Sequence, residues 1–299
     1  MTRLTSLDVE NIESGWAEYD KRILRILGTD LTGLAAAAAG CETDVVRIGL
    51  KGRKLAAVSI SSGDGIVGGF AESLAAIGRH MGLTALAMKS PDAEGFQEAA
   101  DWGADYLIYA DDDSFIVRDQ EGRKMADNNP ATSRVFTAAL EMMCGGLRGR
   151  EVIVLGLGII GCGASARLKE LGAIPLMYDI DDKRREAAAK TGDGEMISGQ
   201  AELQRALERT GLIFDATPVK MALEEPWPEH LIVAAPGVPL SWPIKWMEQE
   251  NPSHFPAESP GRSKAPHRTS PVRATHTNRL WHDPLQSGTA AMLAMISLL

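Results

Sequence analysis

Residues 151–163 read EVIVLGLGIIGCG. Four apolar residues, VIVL, lead into Gly156, Gly158 and Gly161, which is the spacing of a strand that turns sharply into a helix. A glycine triplet of this kind is weak evidence alone, because glycine-rich turns are common. Here Asp179 closes the next predicted strand, roughly 20 residues further on, and this context predicts a dinucleotide site.

Each glycine of the triplet meets a different physical need. Gly156 permits the turn, Gly158 lets the backbone approach a pyrophosphate, and Gly161 lets the helix pack closely against the strand. The helix N-terminus then faces the anion. Ile159 and Ile160, between the last two glycines, complete the cofactor contacts predicted for this turn.

Asp179 is the residue from which we predict the cofactor. Its carboxylate is expected to accept hydrogen bonds from both ribose hydroxyls and to repel a 2′-phosphate. No arginine follows it directly, as one would in many sites for NADP. The sequence therefore favours NAD over NADP.

Two later strand ends are predicted to reach the same crevice. The loops DATP (215–218) and APGVP (235–239) follow the strands predicted at 212–217 and 231–236. Ligands of such sheets bind beyond the carboxyl ends of the strands, although both loops also resemble ordinary turns. The residues predicted to line the cofactor site here are Ala216, Thr217, Pro218, Pro236 and Gly237.

Strand and helix patterns alternate along most of the chain. This predicts an α/β protein: an N-terminal helical and α/β domain (1–146) for substrate, followed by a Rossmann-type doubly wound parallel sheet (147–299) for NAD. The first domain is expected to hold a mostly parallel sheet of its own. Its strands are predicted at 54–60, 83–88 and 104–113. The first two strands of the second domain are predicted at 151–155 and 174–179.

Composition narrows the class of partner. The chain has 299 residues and carries 31 Lys and Arg against 40 Asp and Glu, a net charge of −9, which disfavours nucleic acid and anionic membranes. The three cysteines are far apart and follow no metal-ligand spacing, so no metal site is predicted. The polar start of the chain and the absence of a long apolar run predict a cytoplasmic protein. The acidic balance favours a small-molecule substrate as partner. A homodimer is compatible with the sequence.

Several stretches outside the glycine turn carry a more specific resemblance. They are SSGDGIVGGFAESLAAI (61–77), YADDDSFI (109–116), MADNNPAT (125–132) and DPLQSGTAAML (283–293). Together with VLGLGIIG, FDATP and APGVP, these stretches resemble the PylD family of pyrrolysine synthases over nearly the whole chain apart from about 241–280.

The resemblance implies an NAD-dependent dehydrogenase that completes pyrrolysine from L-lysine-Nε-3-methyl-D-ornithine. The terminal amine-bearing carbon is oxidised, ammonia is lost, and cyclisation with dehydration closes the pyrroline ring. Family substrate contacts correspond to Leu4, Phe70, Asp111 and Asp283, the last of which replaces a glutamate. Asp111 is the predicted catalytic residue, holding the substrate amine, although three adjacent carboxylates also suit a solvated loop.

Residues 241–280 depart from the family pattern, being rich in Pro, Ser, His and Arg with little periodicity. They are expected to be a disordered insertion or a partly mistranslated frame that removes the strand before DPLQSGTA. Two other functions therefore stay open. The chain could be another NAD-dependent amino-acid dehydrogenase, or an NAD-binding protein that has lost its activity.

Overall fold

The computed structural model describes residues 12–218, 228, 230–238, 240, 242–248 and 278–299. Within them the chain forms two sheets with helices packed around both. The helices are α1 (Trp16–Leu27), α2 (Leu31–Ala39), α3 (Thr43–Leu50), α4 (Phe70–His80), α5 (Asp92–Trp102), α6 (Asn128–Cys144), α7 (Ile159–Glu170), α8 (Asp182–Ala189), α9 (Gln200–Thr210) and α10 (Pro284–Leu298). None of these helices is long and apolar enough to span a membrane.

The first sheet has the strand order β2-β1-β3-β4-β5. Its first three strands are parallel, whereas β3, β4 and β5 pair antiparallel. The mostly parallel sheet predicted for this half therefore gains an antiparallel edge, because the short turn 111–114 reverses the chain directly after β3. The strands are β1 (Lys54–Ala57), β2 (Thr84–Ala87), β3 (Tyr106–Ala110), β4 (Phe115–Asp119) and β5 (Met125–Asp127).

The second sheet is parallel throughout, with the order β11-β10-β9-β6-β7-β8. This is the order of a doubly wound dinucleotide fold, with β6 beside the point where the order reverses. The Rossmann-type prediction is confirmed. The strands are β6 (Glu151–Leu155), β7 (Ile174–Tyr178), β8 (Glu195–Met196), β9 (Leu212–Asp215), β10 (Ile232–Ala234) and β11 (Arg279–Trp281).

Strand β11 corrects the expectation for 241–280. The end of that segment supplies the last strand, pairing Val233 with Leu280 and burying Trp281 completely. Residues 242–248 are also placed, with Trp242 and Trp246 buried. Burial of three large side chains anchors these two ends. The remaining residues of the segment lie outside the described part of the chain.

The final helix packs against helices of the first half of the chain. Helix α10 lies within 147–299 in sequence, yet it packs on α2, α3 and α6 from the first half. Its residues are apolar or small on almost every face, as in Ala290, Met292 and Leu293, which are all fully buried. A helix of this composition must be enclosed on all sides. The boundary at residues 146 and 147 otherwise separates the two sheets and stays a prediction.

Candidate active site

The glycine turn between β6 and α7 has the geometry that its spacing predicts. Gly156 adopts a φ of +83°, a left-handed conformation that favours glycine. A Cβ on Gly161 would lie 1.8 Å from the backbone oxygen of Gly156, so strand and helix approach as closely as glycine allows. A Cβ on Gly158 would meet nothing within 4 Å. The turn therefore leaves open space at the start of α7, where backbone N–H groups can bind an anion.

Asp179 stands at the end of β7 beside this turn. It is 6% exposed, and its Oδ2 accepts a hydrogen bond of 2.7 Å from the backbone N–H of Leu157. Its Oδ1 accepts a second, of 2.9 Å, from Asp181. The carboxylate thus holds the glycine turn in place, a role that spacing alone does not show. Each oxygen keeps a second lone pair with which to accept a ribose hydroxyl.

Arg184 is a neighbour of Asp179 that sequence reasoning missed. Its Nη1 lies 3.8 Å from Asp179 Oδ2, and its side chain lines the same cleft. The sequence analysis considered only the residue directly after Asp179, whereas Arg184 reaches back from the first turn of α8. A half-exposed guanidinium at this position can bind a phosphate or pack on a planar base.

A cleft of about 1410 Å³ runs along the carboxyl ends of the second sheet. All of the residues predicted to bind the cofactor line it. They are Gly156, Gly158, Ile159, Ile160, Gly161, Asp179, Ala216, Thr217, Pro218, Pro236 and Gly237. Asn128, Asn129 and Thr132, at the start of α6, form its opposite wall. The sequence analysis used the stretch MADNNPAT only for the family resemblance, because nothing in its local pattern predicts a position opposite the glycine turn.

A smaller cavity of about 230 Å³ lies at the carboxyl ends of β1 and β3. It brings together two of the predicted substrate residues, Phe70 and Asp111, with the carboxylates Asp64 and Asp112. The ring of Phe70 packs edge-on against Phe115, with 5.7 Å between the ring centroids. Apolar walls with several carboxylates suit a ligand that is part aliphatic and part cationic.

Asp111 has a structural role as well as its place in the cavity. Its Oδ1 accepts hydrogen bonds from the backbone N–H groups of Asp113 (2.9 Å) and Ser114 (2.7 Å), which closes the turn into β4. Both bonds use Oδ1. Among the described residues, none is seen to bond to Oδ2, so this oxygen can accept a hydrogen bond from a ligand. The solvated-loop alternative and the ligand-binding role are thus compatible with one side chain.

The two cavities share a wall. Asp112 and Phe115 line both the small cavity and the large cleft. A ligand bound beside Asp111 would therefore adjoin a ligand bound over the glycine turn. This adjacency is what a transfer reaction between a substrate and a dinucleotide requires.

Asp283 does not take the position predicted for it. It is 4% exposed and lines neither cavity, whereas its neighbours Pro284 and Leu285 line the cleft. Its Oδ2 accepts hydrogen bonds from the hydroxyls of Tyr19 (2.5 Å) and Ser287 (3.1 Å), while Oδ1 caps α10. The predicted substrate contact of Asp283 is not supported, because its oxygens bond to the hydroxyls of Tyr19 and Ser287 and cap α10. Leu4 lies outside the described residues.

Loss of the Tyr19 hydroxyl is expected to be destabilising and dependent on pH. Burial raises the pKa of Asp283, and the hydrogen bond from Tyr19 opposes that rise. We expect Tyr19→Phe to lower the free energy of unfolding by about 1–3 kcal/mol above the folded pKa of Asp283. The loss should shrink as pH falls through that pKa, since a protonated carboxyl needs fewer donors.

Urea unfolding at a series of pH values measures this effect. Tyr106→Phe is the matched control, since Tyr106 is buried and its hydroxyl has no hydrogen bond within the described part of the chain. A Tyr19→Phe effect that is independent of pH would show that the hydroxyl does not act on the Asp283 carboxylate.

The comparisons with known proteins agree with these features. A family model for the N-terminal domain of pyrrolysine biosynthesis protein PylD matches residues 8–126. The pyrrolysine synthase of Methanosarcina acetivorans is 29% identical over 242 residues, covering 81% of this chain and 88% of the relative. The pyrrolysine synthase of Methanosarcina barkeri is 28% identical over 242 residues, which cover 81% of this chain and 87% of the relative. The chain is thus similar to proteins of the PylD family. The match to the PylD N-terminal domain includes both Phe70 and Asp111.

Solved structures show more distant similarities. One is a dehydroquinate dehydratase and shikimate dehydrogenase from S. pombe, at 12% identity and a TM-score of 0.48, covering 82% of this chain and 50% of that one. Another is shikimate 5-dehydrogenase from Thermus thermophilus, at 13% identity and a TM-score of 0.44, covering 81% and 99%.

Proposed function

We propose that this chain is an NAD-dependent dehydrogenase of pyrrolysine biosynthesis. Its substrate is L-lysine-Nε-3-methyl-D-ornithine, and it oxidises the terminal amine-bearing carbon of the ornithine part. The observation that carries the proposal is the wall of Asp112 and Phe115, which joins an acidic cavity to a cleft with the features of a dinucleotide site. Similarity to relatives named pyrrolysine synthases supports pyrrolysine as the product, and the sequence resemblance to that family implies the substrate.

The residues of the cleft fit a dinucleotide. The open space at Gly158 admits a pyrophosphate, and Asp179 can accept a ribose hydroxyl at the end of β7. The chemistry that NAD would supply when bound is that of a hydride acceptor for the substrate carbon. The cleft walls formed by Asn128 and Leu285 would limit the access of water.

The acidic cavity supplies the other half of the chemistry. An ammonium must lose a proton before its carbon can be oxidised. The proposed roles of Asp111 and Asp112, which line this cavity, are to hold the cation and accept that proton. Oxidation converts the carbon–nitrogen single bond to an imine, and water then gives an aldehyde and ammonia. Condensation of the aldehyde with the second ornithine amine, with loss of water, closes the ring.

The direct test supplies purified protein with NAD and the dipeptide-like substrate. NADH formation is followed by absorbance and the product is identified by mass. Preferential oxidation of simple amino acids would instead support a different amino-acid dehydrogenase. NAD binding without any turnover would support a protein that has lost its activity.

Asp179→Asn tests the choice of NAD. The amide keeps one acceptor for the Leu157 N–H but removes the charge that favours ribose hydroxyls and repels a 2′-phosphate. We expect roughly tenfold weaker NAD binding and a narrower gap to NADP, measured by calorimetry. Arg184→Gln is the companion variant and should weaken NADP more than NAD. Equal affinity of the unmodified protein for both cofactors would contradict the assignment.

A further inference from the structure

Asp215 is a buried carboxylate at the end of β9 that the proposed reaction does not use. It is 2% exposed. Its Oδ1 accepts hydrogen bonds from the backbone N–H of Thr217 (3.0 Å) and from the Thr217 hydroxyl (2.6 Å). Its Oδ2 accepts a bond of 2.7 Å from the indole N–H of Trp242. Burial raises the pKa of Asp215, and these three bonds favour its ionised form.

The loop that Asp215 holds has little freedom to move. A Cβ on Gly237 would lie 2.1 Å from the Thr217 backbone oxygen, and one on Gly156 would lie 3.1 Å from Thr217 Cγ2. Thr217 is therefore enclosed between two loops of the cofactor cleft, which it also lines. A shift of Asp215 would pass directly to Thr217.

The position of this loop in the sheet identifies the part of the dinucleotide that it faces. Strand β9 lies on one side of β6, and β7, with Asp179 at its end, lies on the other. The residue at the Asp179 position binds the ribose of the adenosine half. In a dinucleotide bound this way, Thr217 would therefore face the opposite half, which carries the nicotinamide.

Trp242 is fixed from outside the cleft. It is 5% exposed, does not line the cleft, and packs against Trp246 with 5.6 Å between the ring centroids. The backbone oxygen of Met247, in the same segment, accepts a bond of 3.2 Å from Arg25 on α1. The segment that carries the Trp242 indole is therefore bonded to α1, whereas the Thr217 loop belongs to the cleft.

We propose that Trp242 is a positioning residue that acts through Asp215 to hold Thr217 against the nicotinamide half of the dinucleotide. The inference rests on the proposed cofactor. It gives a function to a segment, 242–248, in which the sequence pattern indicates only an atypical insertion. Trp242 does not line the cleft and reaches it only through Asp215 and Thr217, so its effect should be confined to the nicotinamide half of the cofactor.

Calorimetric titration with NAD and with AMP tests the inference. Trp242→Phe keeps a ring but removes the indole donor, and NAD binding should weaken about three- to tenfold. AMP, which has only the adenosine half, should bind within about twofold of its original affinity. Trp102→Phe, on α5 beside the first sheet, is the control and should change neither.

A double-variant cycle asks whether Trp242 acts through Asp215. Trp242→Phe should weaken NAD less in an Asp215→Asn background than in the unmodified protein. Equal effects in both backgrounds, or an equal loss of NAD and AMP affinity, would overturn the inference. Unchanged NAD affinity in Trp242→Phe would overturn it and leave the proposed function standing. Failure of the unmodified protein to bind NAD would overturn both.

Hydrogen exchange on the unmodified protein provides a second measurement that needs no variant. Residues 242–248 should gain protection when NAD binds and should not when AMP binds. Protection by both ligands, or by neither, would contradict the coupling.

Discussion

A Gly161→Ala variant is expected to lose measurable NAD binding together with about 1–3 kcal/mol of its free energy of unfolding. The added Cβ would stand 1.8 Å from the Gly156 oxygen, which is a backbone atom and cannot rotate away. Helix α7 must therefore move away from the glycine turn. That movement would also disturb the bond from the Gly156 N–H to the oxygen of Tyr178.

Gly158→Ala is the matched variant that separates folding from binding. Its φ of −76° suits alanine, and its Cβ would meet no atom within 4 Å. Stability should change by no more than about 0.5 kcal/mol. NAD binding should still weaken, since the methyl group would occupy the space where the pyrophosphate approaches. Thermal unfolding and calorimetry measure the two effects, and normal NAD binding by Gly158→Ala would refute the assignment of this turn.

Asp111→Asn is expected to lower kcat/KM for the dipeptide-like substrate by roughly ten- to 150-fold, the effect of about 1.5–3 kcal/mol from a charge-assisted hydrogen bond. Asparagine keeps an oxygen for the N–H groups of Asp113 and Ser114, so the turn into β4 should persist. The charge facing the substrate ammonium is removed. NAD affinity should hardly change, because the predicted cofactor contacts lie in the other half of the chain.

Steady-state kinetics and NAD titration measure the Asp111→Asn effect. Asp101→Asn removes the same charge from an exposed position on α5 and should leave kcat/KM unchanged. Unaltered kcat/KM in a folded Asp111→Asn protein would return Asp111 to a purely structural turn residue. A loss of NAD binding would show that Asp111 contributes to the cofactor site rather than to the substrate site alone.

Local chemistry explains why the sequence predicted so much of the second sheet. The strand 151–155 has the predicted bounds, and the alternation of apolar strands with helices predicted a parallel sheet. The edge strands were harder to predict. Strand β8 has only two residues, and β11 follows a segment with no periodicity, so neither gives a pattern that can be recognised.

The helices show the same limit. The predicted helix at 132–143 is part of a longer one that begins at Asn128, since Asp127 caps it through the N–H of Asn129. Helix α9 was not predicted, although its buried residues Leu203, Ala206 and Leu207 lie at helical spacing. Capping by Asp127 extended α6 beyond what periodicity indicated.

The sequence by itself determined the glycine turn, the acidic residue after β7 and the loops that reach the cleft, because these depend on spacing within one supersecondary unit. The tertiary structure alone decided the partners of residues far apart in the chain. Asp283 bonds to Tyr19 rather than facing a cavity, and Asp215 bonds to Trp242. A buried carboxylate must find donors wherever packing brings them, and no spacing rule records which distant residue that will be.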